Sequence, residues 1–318
     1  RFITENLGRE LTAVVVDRAL RVGNLLSEQI NTLTALSLNE VLQAAVESEN
    51  QTYEGGTAAI QAVLDAKDAQ WQAADAADNN NDPLVREHLT NDVALDLKEF
   101  QAVFPDNAEI FITDVYGGLT GTTNRTSDYY QADEVWWQAA YNNGEGAVYI
   151  SDPELDESTG EIGVQIALPL RTRETGEVIG ILRTTYIISA FSFILEQNIG
   201  ETGSTNILIP GDTVRRIHEG GYEPVEPGLF DQLQAVADQG MVEMEYEDTF
   251  SVVTQALVRS SEGNPAIDNL GWVVAFHQDR DEAFAQINAQ IQGVIFVMLI
   301  VIVVAIIMAY FIAQLLVR

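Results

Sequence analysis

The sequence predicts an α+β chain: a long N-terminal helix, two tandem antiparallel-sheet domains and a C-terminal transmembrane helix. Three observations predict it. Val15, Ala19, Val22, Leu26, Ile30, Leu33 and Leu36 recur at spacings of three and four, the signature of one apolar helix stripe. Two rounds of helix followed by alternating apolar strands come next, without the strand–helix–strand alternation that a parallel sheet requires. Residues 293–313 (GVIFVMLIVIVVAIIMAYFIA) are 21 positions without a charge. At about 1.5 Å per residue they span the roughly 30 Å hydrocarbon layer.

The stripe predicts helix over residues 4–48. At about 65 Å, such a helix is longer than one small domain covers, so it reads as a stalk or dimer seam; the alternative is two helices broken near Gly23. YEGG at 53–56 ends it. Thr57 is expected to cap a second helix with Ile60, Val63, Leu64 and Trp71 on its apolar side, and residues 73–83 read as a loop. Pro83 opens a third helix with Leu84, Leu89, Val93, Leu97 and Phe100 inward, ended by Phe104 and Pro105. Strands are predicted over 108–115, 147–151, 162–170 and 177–187. In the third of these Ile162, Val164, Ile166, Leu168 and Leu170 share one face. A linking helix over 189–197 leads to a second round: strands at 206–209 and 213–217, a helix at 229–237, and strands at 241–247, 250–258 and 270–277. The acidic flank before the apolar span (Asp279, Asp281, Glu282) and Arg318 after it orient residues 1–290 outside the cell and the C-terminus in the cytoplasm. The start at Arg1 and the end just past the span read as a piece of a longer membrane protein, with an earlier membrane helix before it and a cytoplasmic module after it.

Composition excludes several function classes. The chain carries 16 basic and 48 acidic residues, a formal charge of -32, with Lys67 and Lys98 as its lysines. Such a surface repels phosphate backbones, which argues against a nucleic-acid partner. High-salt adaptation is one explanation of the acidity and an acidic extracellular surface is another. With no cysteine there is neither a disulfide nor a thiolate metal site. His88, His218 and His277 stand far apart, outside any metal-ligand spacing. Neither GxxxxGK[ST], GxGxxG nor GxSxG occurs, so no cofactor and no enzyme activity is predicted within these residues.

Chemistry concentrates between residues 129 and 160 (YYQADEVWWQAAYNNGEGAVYISDPELDESTG). Tyr129, Tyr130, Trp136, Trp137, Tyr141 and Tyr149 interleave there with Asp133, Glu134, Asp152, Glu154, Asp156 and Glu157. Rings beside acids suit a small-molecule cage, and equally a packed core with a solvated rim. Tyr129, Trp136 and Tyr149 supply faces while Glu134 and Asp152 supply negative charge, which suits a cationic or amine-bearing ligand. Arg183, in an apolar strand, can instead pair with an anionic ligand, or with Asp152 or Glu134. Residues 152–161 read as a solvated hairpin tip.

The order of parts resembles the double Cache sensor domain of prokaryotic chemoreceptors and sensor histidine kinases. The resemblance is carried by DVYGGLTGTT (114–123), YYQADEVWWQAA (129–140), GEVIGILRTTY (176–186) and LGWVVAFHQDRDEAF (270–284), and covers nearly the whole chain. It implies a stalk or dimer helix over 1–52, a membrane-distal PAS-like sensor domain over 53–190 and a membrane-proximal one over 191–278. A juxtamembrane helix over 279–292 and the transmembrane helix over 293–317 complete it. It also implies a homodimer and a ligand site in the distal domain at Tyr129, Glu134, Trp136, Trp137 and Tyr149, to which the sequence itself adds Tyr116, Asp152 and Arg183. One subfamily holds amino acids through an arginine and a last-strand aspartate, and here Glu134 and Thr185 stand in those places. Free α-amino acids are therefore disfavoured. The implied function is extracellular small-molecule sensing with a conformational change passed across the membrane; the alternative is an anchored binding or structural protein without signalling output.

The charge imbalance sets an expectation for stability. Salt screens repulsion among the excess carboxylates. Raising NaCl from about 0.1 M to about 2 M is expected to raise the Tm by several degrees in a thermal scan, and a falling Tm would contradict it.

Overall fold

The computed structural model describes residues 2–211, 213–218, 221–225, 228–234, 238–246 and 249–316. Helix α1 (Phe2–Ser37) buries Leu7, Leu11, Val15, Ala19, Val22, Leu26, Ile30 and Leu33 along one side. The expected single helix over 4–48 is interrupted. At Asn39 the side chain turns back to accept from the Val41 amide at 2.8 Å and caps a separate helix, α2 (Glu40–Asn50). Asparagine at such a position competes with the helix ladder for the backbone, so it starts a helix better than it continues one. Gly23 is not a break. A Cβ there would lie 2.1 Å from the Arg259 carbonyl oxygen, so the glycine lets the chain between the last two strands of the second sheet rest on α1.

Helix α3 (Thr57–Ala76) runs further than expected and shortens the predicted loop; its N-cap is Gly56, with no side-chain cap bond, and Thr57 is its first helical residue. The predicted third helix is two, α4 (Pro83–Thr90) and α5 (Asp92–Val103), divided by Asn91, whose side chain accepts from the Ala94 amide. Strands β1 (Asn107–Asp114) and β2 (Leu119–Thr122) follow, then α6 (Val135–Tyr141), in a stretch read as irregular. Next come β3 (Tyr149–Ile150), β4 (Glu154–Leu155), β5 (Ile162–Arg171) and β6 (Val178–Ile187). The first sheet is antiparallel throughout, in the order β2-β1-β6-β5-β3, with β4 also on β5.

The predicted linking helix is shorter, a 3-10 turn at Ile188–Phe191 and then α7 (Ser192–Leu195). The second round comprises β7 (Ser204–Ile209), β8 (Arg215–His218), β9 (Gly221–Pro224), α8 (Leu229–Gln234), β10 (Met241–Tyr246), β11 (Thr249–Leu257), α9 (Pro265–Asp268) and β12 (Val273–Asp279). Its sheet is β10-β11-β12-β7-β8-β9, again antiparallel. Strand β9 had no signal in the sequence. The ends of the helix predicted to 237 and of the strand predicted to 247 lie outside the described residues. Helix α10 (Arg280–Leu316) leaves β12 without a break and joins the expected juxtamembrane and transmembrane segments into one helix. Its segment Gln292–Ala309 has a mean hydropathy of 3.0 and is long and apolar enough to cross a membrane.

Both sheets share α1. Ile110, Ile112, Ile166, Leu168 and Leu182 of the first sheet and Ile207, Val252, Val274 and Phe276 of the second pack into one apolar cluster with the α1 stripe. The opposite face of each sheet has its own cluster: Phe111, Ala167 and Ile181 with Trp71, Trp136 and Trp137 in the first, and Leu208, Val253 and Ala275 with Leu233 in the second. Polar contacts tie the two halves. Arg18 of α1 is buried, donates to the Gln197 carbonyl and Thr205 Oγ1, and lies 5.3 Å over the Phe276 ring. On α10, Glu282 accepts from the amides of Glu201 at 2.7 Å and Thr202 at 2.9 Å. Burying an arginine requires that its donors be used, and here they fasten the inter-domain link to α1.

Two substitutions test these junctions. Gly23→Ala forces a methyl group against the Arg259 backbone and is expected to cost about 1–3 kcal/mol. Asn39→Ala removes a cap and is expected to cost about 1 kcal/mol. Urea unfolding measures both, and an unchanged midpoint for Gly23→Ala would contradict the close approach.

Candidate ligand-binding site

The face of the first sheet turned away from α1 carries the chemistry. Strand pairing lays it out in rows. Glu109, Thr185 and Gln165 stand side by side, and in the next row come Phe111, Arg183, Ala167 and Tyr149. Alternation along each strand then puts Glu109 and Phe111 of β1 on the same face as Arg183 and Thr185 of β6. Helix α6 covers this face from above: Trp136 meets Phe111 edge-on with ring centroids 5.6 Å apart, and Trp137 donates from Nε1 to Thr113 Oγ1 at 2.8 Å.

Arg183 is the centre. It is buried at 7% exposure, with its guanidinium carbon 5.0 Å from the Phe111 ring centre and 5.4 Å from that of Trp136. Nη1 donates to Glu109 Oε2 at 2.8 Å, and Nη2 lies 3.6 Å from Asp156 Oδ2. The expected pairing with Asp152 or Glu134 is corrected: the acids against Arg183 are Glu109 and Asp156. Asp156 belongs to the hairpin read as solvated. It turns inward instead, accepting from Thr185 Oγ1 at 2.5 Å and from the Ser158 and Thr159 amides at 3.1 Å. Asn124 donates to Glu109 Oε1 at 2.9 Å, and the Ser158 hydroxyl lies within reach of both carboxylates.

The two acids respond oppositely to this setting. Burial raises the Glu109 pKa above the usual carboxylate range, further than Arg183 draws it down, and the neighbouring Asp156 adds to the rise. Burial raises Asp156 as well, but the Ser158 and Thr185 hydrogen bonds and Arg183 outweigh it, so its pKa is lowered. Glu154 is raised, first by burial, and feels Arg183, Asp156 and Glu134. Several carboxylates thus share one guanidinium.

A second polar group lies under α3. Tyr53 donates to Asp114 Oδ2 at 2.6 Å; Lys67 donates to Tyr129 Oη and Glu49 Oε1, both at 3.1 Å. Tyr129 is fully buried against Trp71 and His88, and the Lys67 ammonium lies 5.2 Å over its ring. Burial raises Asp114 to about 6 and lowers His88.

The residues singled out from sequence therefore divide. Trp136, Tyr149 and Arg183 share the sheet face with its covering helix. Tyr129 stacks in the group under α3 beside Trp71 and His88. Trp137 stacks on Tyr141 at 4.8 Å, the Tyr116 ring meets Tyr53 edge-on at 4.9 Å, and Glu134 is exposed at the start of α6. Asp152 is exposed and accepts from Trp272 Nε1 at 2.9 Å, which joins the first domain to the residue just ahead of β12. Sequence reasoning missed Glu109 and Lys67 and set Asp156 on a solvated tip. The available signals were an acid inside an apolar strand, the Asp-Glu-Ser-Thr-Gly turn pattern and one of two lysines in the chain.

Solved structures share this architecture. The ligand-binding domain of the Pseudomonas aeruginosa PAO1 amino acid chemoreceptor PctB, in complex with L-Arg, superposes with a TM-score of 0.51 at 17% identity, covering 88% of this chain and 98% of that one. The ligand-binding domain of the Pseudomonas fluorescens chemoreceptor CtaA, in complex with L-isoleucine, gives a TM-score of 0.52 at 14% identity, covering 89% and 97%. No family model matches the chain, and no curated protein matches it in sequence. At these identities the fold is what is shared, and it is the fold that the resemblance to double Cache domains implies.

Asp114 gives a pH test. Its folded pKa of about 6 lies above the ordinary 3.8, so the native state holds the proton more tightly. Its contribution to stability is present at low pH and is lost as pH rises toward and through 6. About two pKa units correspond to about 3 kcal/mol. Relative to Asp114→Asn, the wild type is expected to lose up to that much stability between pH 4 and pH 7 in urea unfolding. A pH-independent difference would contradict the assignment.

Proposed function

We propose that this chain is the ligand-sensing region of a transmembrane signalling receptor, and that it binds a small amine-bearing or cationic molecule on the outward face of the first sheet. The observation that supports the ligand class is the excess of carboxylates over cations there: Glu109 and Asp156 flank Arg183, with Glu154 and Glu134 beyond. Trp136, Tyr149, Glu134 and Arg183 line the site together with Glu109 and Asp156, with Trp137 beside Trp136 on α6; Tyr116 and Tyr129 belong to the neighbouring group under α3, and Asp152 to the joint with Trp272. The work is binding, not turnover.

The full-length architecture of the chemoreceptor ligand-binding domains, reproduced over nearly all of this chain, supports the sensor reading. So does the unbroken passage from β12 into the apolar helix. On this reading the domains lie outside the cell, α10 crosses the bilayer, and the C-terminus faces a cytoplasmic output module. The chain pairs as a homodimer, and nucleic acid is not a partner. A ligand shifts the balance between two domain arrangements by its difference in affinity for them. The link held by Arg18 and Glu282 carries the displacement to both long helices.

A thermal-shift screen of the full chain in detergent micelles tests this, using primary amines, guanidines, amino acids, carboxylates and purines. At about 100 times its Kd a ligand stabilises by about 2.7 kcal/mol. An amine or guanidine is expected to raise the Tm, and Asp156→Asn is expected to remove most of the shift. Stabilisation by carboxylates alone, or a shift indifferent to Asp156→Asn, would sink the ligand class.

A further inference from the structure

We propose that Arg183 is a built-in occupant of a guanidinium site: its side chain fills the aromatic and acidic cage that an external guanidine or amine takes when it binds, and the ligand acts by displacing it. The proposal rests on the sensing role given above and specifies the ligand class and the first event.

The cage is defined by what surrounds the guanidinium. Phe111 and Trp136 present ring faces at 5.0 and 5.4 Å, the separation at which a cation and an aromatic ring attract. Glu109 meets one terminal nitrogen at 2.8 Å and Asp156 lies 3.6 Å from the other. Rings on the flanks and carboxylates at the end are what a free guanidinium needs, and the planar fork of Arg183 shows that one fits. Thr185, Ser158 and Asn124 hydrogen-bond the two acids and hold them in place with or without a guest.

The fit of the resident side chain is incomplete. Arg183 Nε is buried and has no hydrogen-bond partner among the described residues, and its nearer approach to Asp156 stops at 3.6 Å. The tether explains both: the guanidinium is fixed to β6, with Phe111 and Ala167 on the neighbouring strands, and cannot turn to spend all its donors. A buried donor left unmade is costly. An untethered ligand orients freely and satisfies what Arg183 leaves open. It must also overcome a competitor of high effective concentration, so it binds the wild type more weakly than it binds a vacated cage.

Displacement has a direct mechanical consequence. Asp156 and Asp152 lie on the same short segment between β3 and β5, and Asp152 accepts from Trp272 Nε1 beside β12. Removing Arg183 from Asp156 therefore acts on the segment that holds Trp272, the residue just ahead of the strand leading into the apolar helix.

The test uses the full chain in detergent micelles, with methylguanidinium chloride as probe and equal concentrations of NaCl and sodium acetate as controls. Arg183→Ala is expected to lower the Tm, and methylguanidinium to restore it saturably, while acetate does not. Wild type is expected to need roughly tenfold more probe for the same shift. Asp156→Asn in the Arg183→Ala background is expected to weaken the rescue by roughly tenfold. No saturable rescue, or equal response of wild type and Arg183→Ala, overturns the proposal. If Arg183→Ala loses its tertiary structure, recovery of near-ultraviolet circular dichroism on adding methylguanidinium supports it, and no recovery overturns it. Rescue with no hit in the wild-type ligand screen leaves the cage standing and removes the sensing role; a hit without rescue removes the cage alone.

Discussion

A single apolar stripe on α1 closes two sheets at once. Leu7 to Leu36 lie in one cluster with Ile110 and Leu182 of the first sheet and with Ile207 and Phe276 of the second. Each large side chain buried there contributes about 1.5–3 kcal/mol, and each sheet loses that contribution if the helix moves away. The helix in turn draws its stability from this packing, since propensity alone does not hold 36 residues in water. The rest of the fold conforms to this constraint: Gly23 lets the chain after β11 lie against the helix, and Arg18 spends its donors on the link between the sheets.

The same constraint gives the first sheet two unlike faces. The side toward α1 is apolar in its central strands apart from Thr184 and Asn107, which hydrogen-bond each other beside Gln29 of α1, whereas the outward side carries Glu109, Arg183 and Thr185 under α6. Burying a guanidinium between two carboxylates is a poor way to gain stability, because desolvation of the ions offsets their attraction. A core of aliphatic residues packs the same space at lower cost. The polar choice makes sense if the face exists to recognise a charge.

Much of the scaffold was legible in the sequence because its signals are periodic. The α1 stripe, the alternation in β5 and the uncharged run in α10 repeat over enough residues to outweigh local noise. Breaks were less legible: Asn39 and Asn91 sit inside apolar patterns, and only their cap geometry reveals that they start new helices. Helix α6, with Val135 to Tyr141, is too short to show a period, so its tryptophans read as a cluster of rings. The site was half legible. Arg183 and Trp136 stood out by type, but their partners did not, because Glu109 is fixed by strand register and Asp156 by an inward turn of its hairpin.

The most direct test of the shared spine is hydrogen exchange, read by mass spectrometry, on Leu26→Ala. Leu26 is fully buried in the middle of the stripe, and the truncation leaves a cavity costing about 3–5 kcal/mol. If one helix closes both sheets, protection falls together in β5 and β6 and in β11 and β12. Loss confined to one sheet, with the other unchanged, would show that the two halves are held separately and would contradict the account.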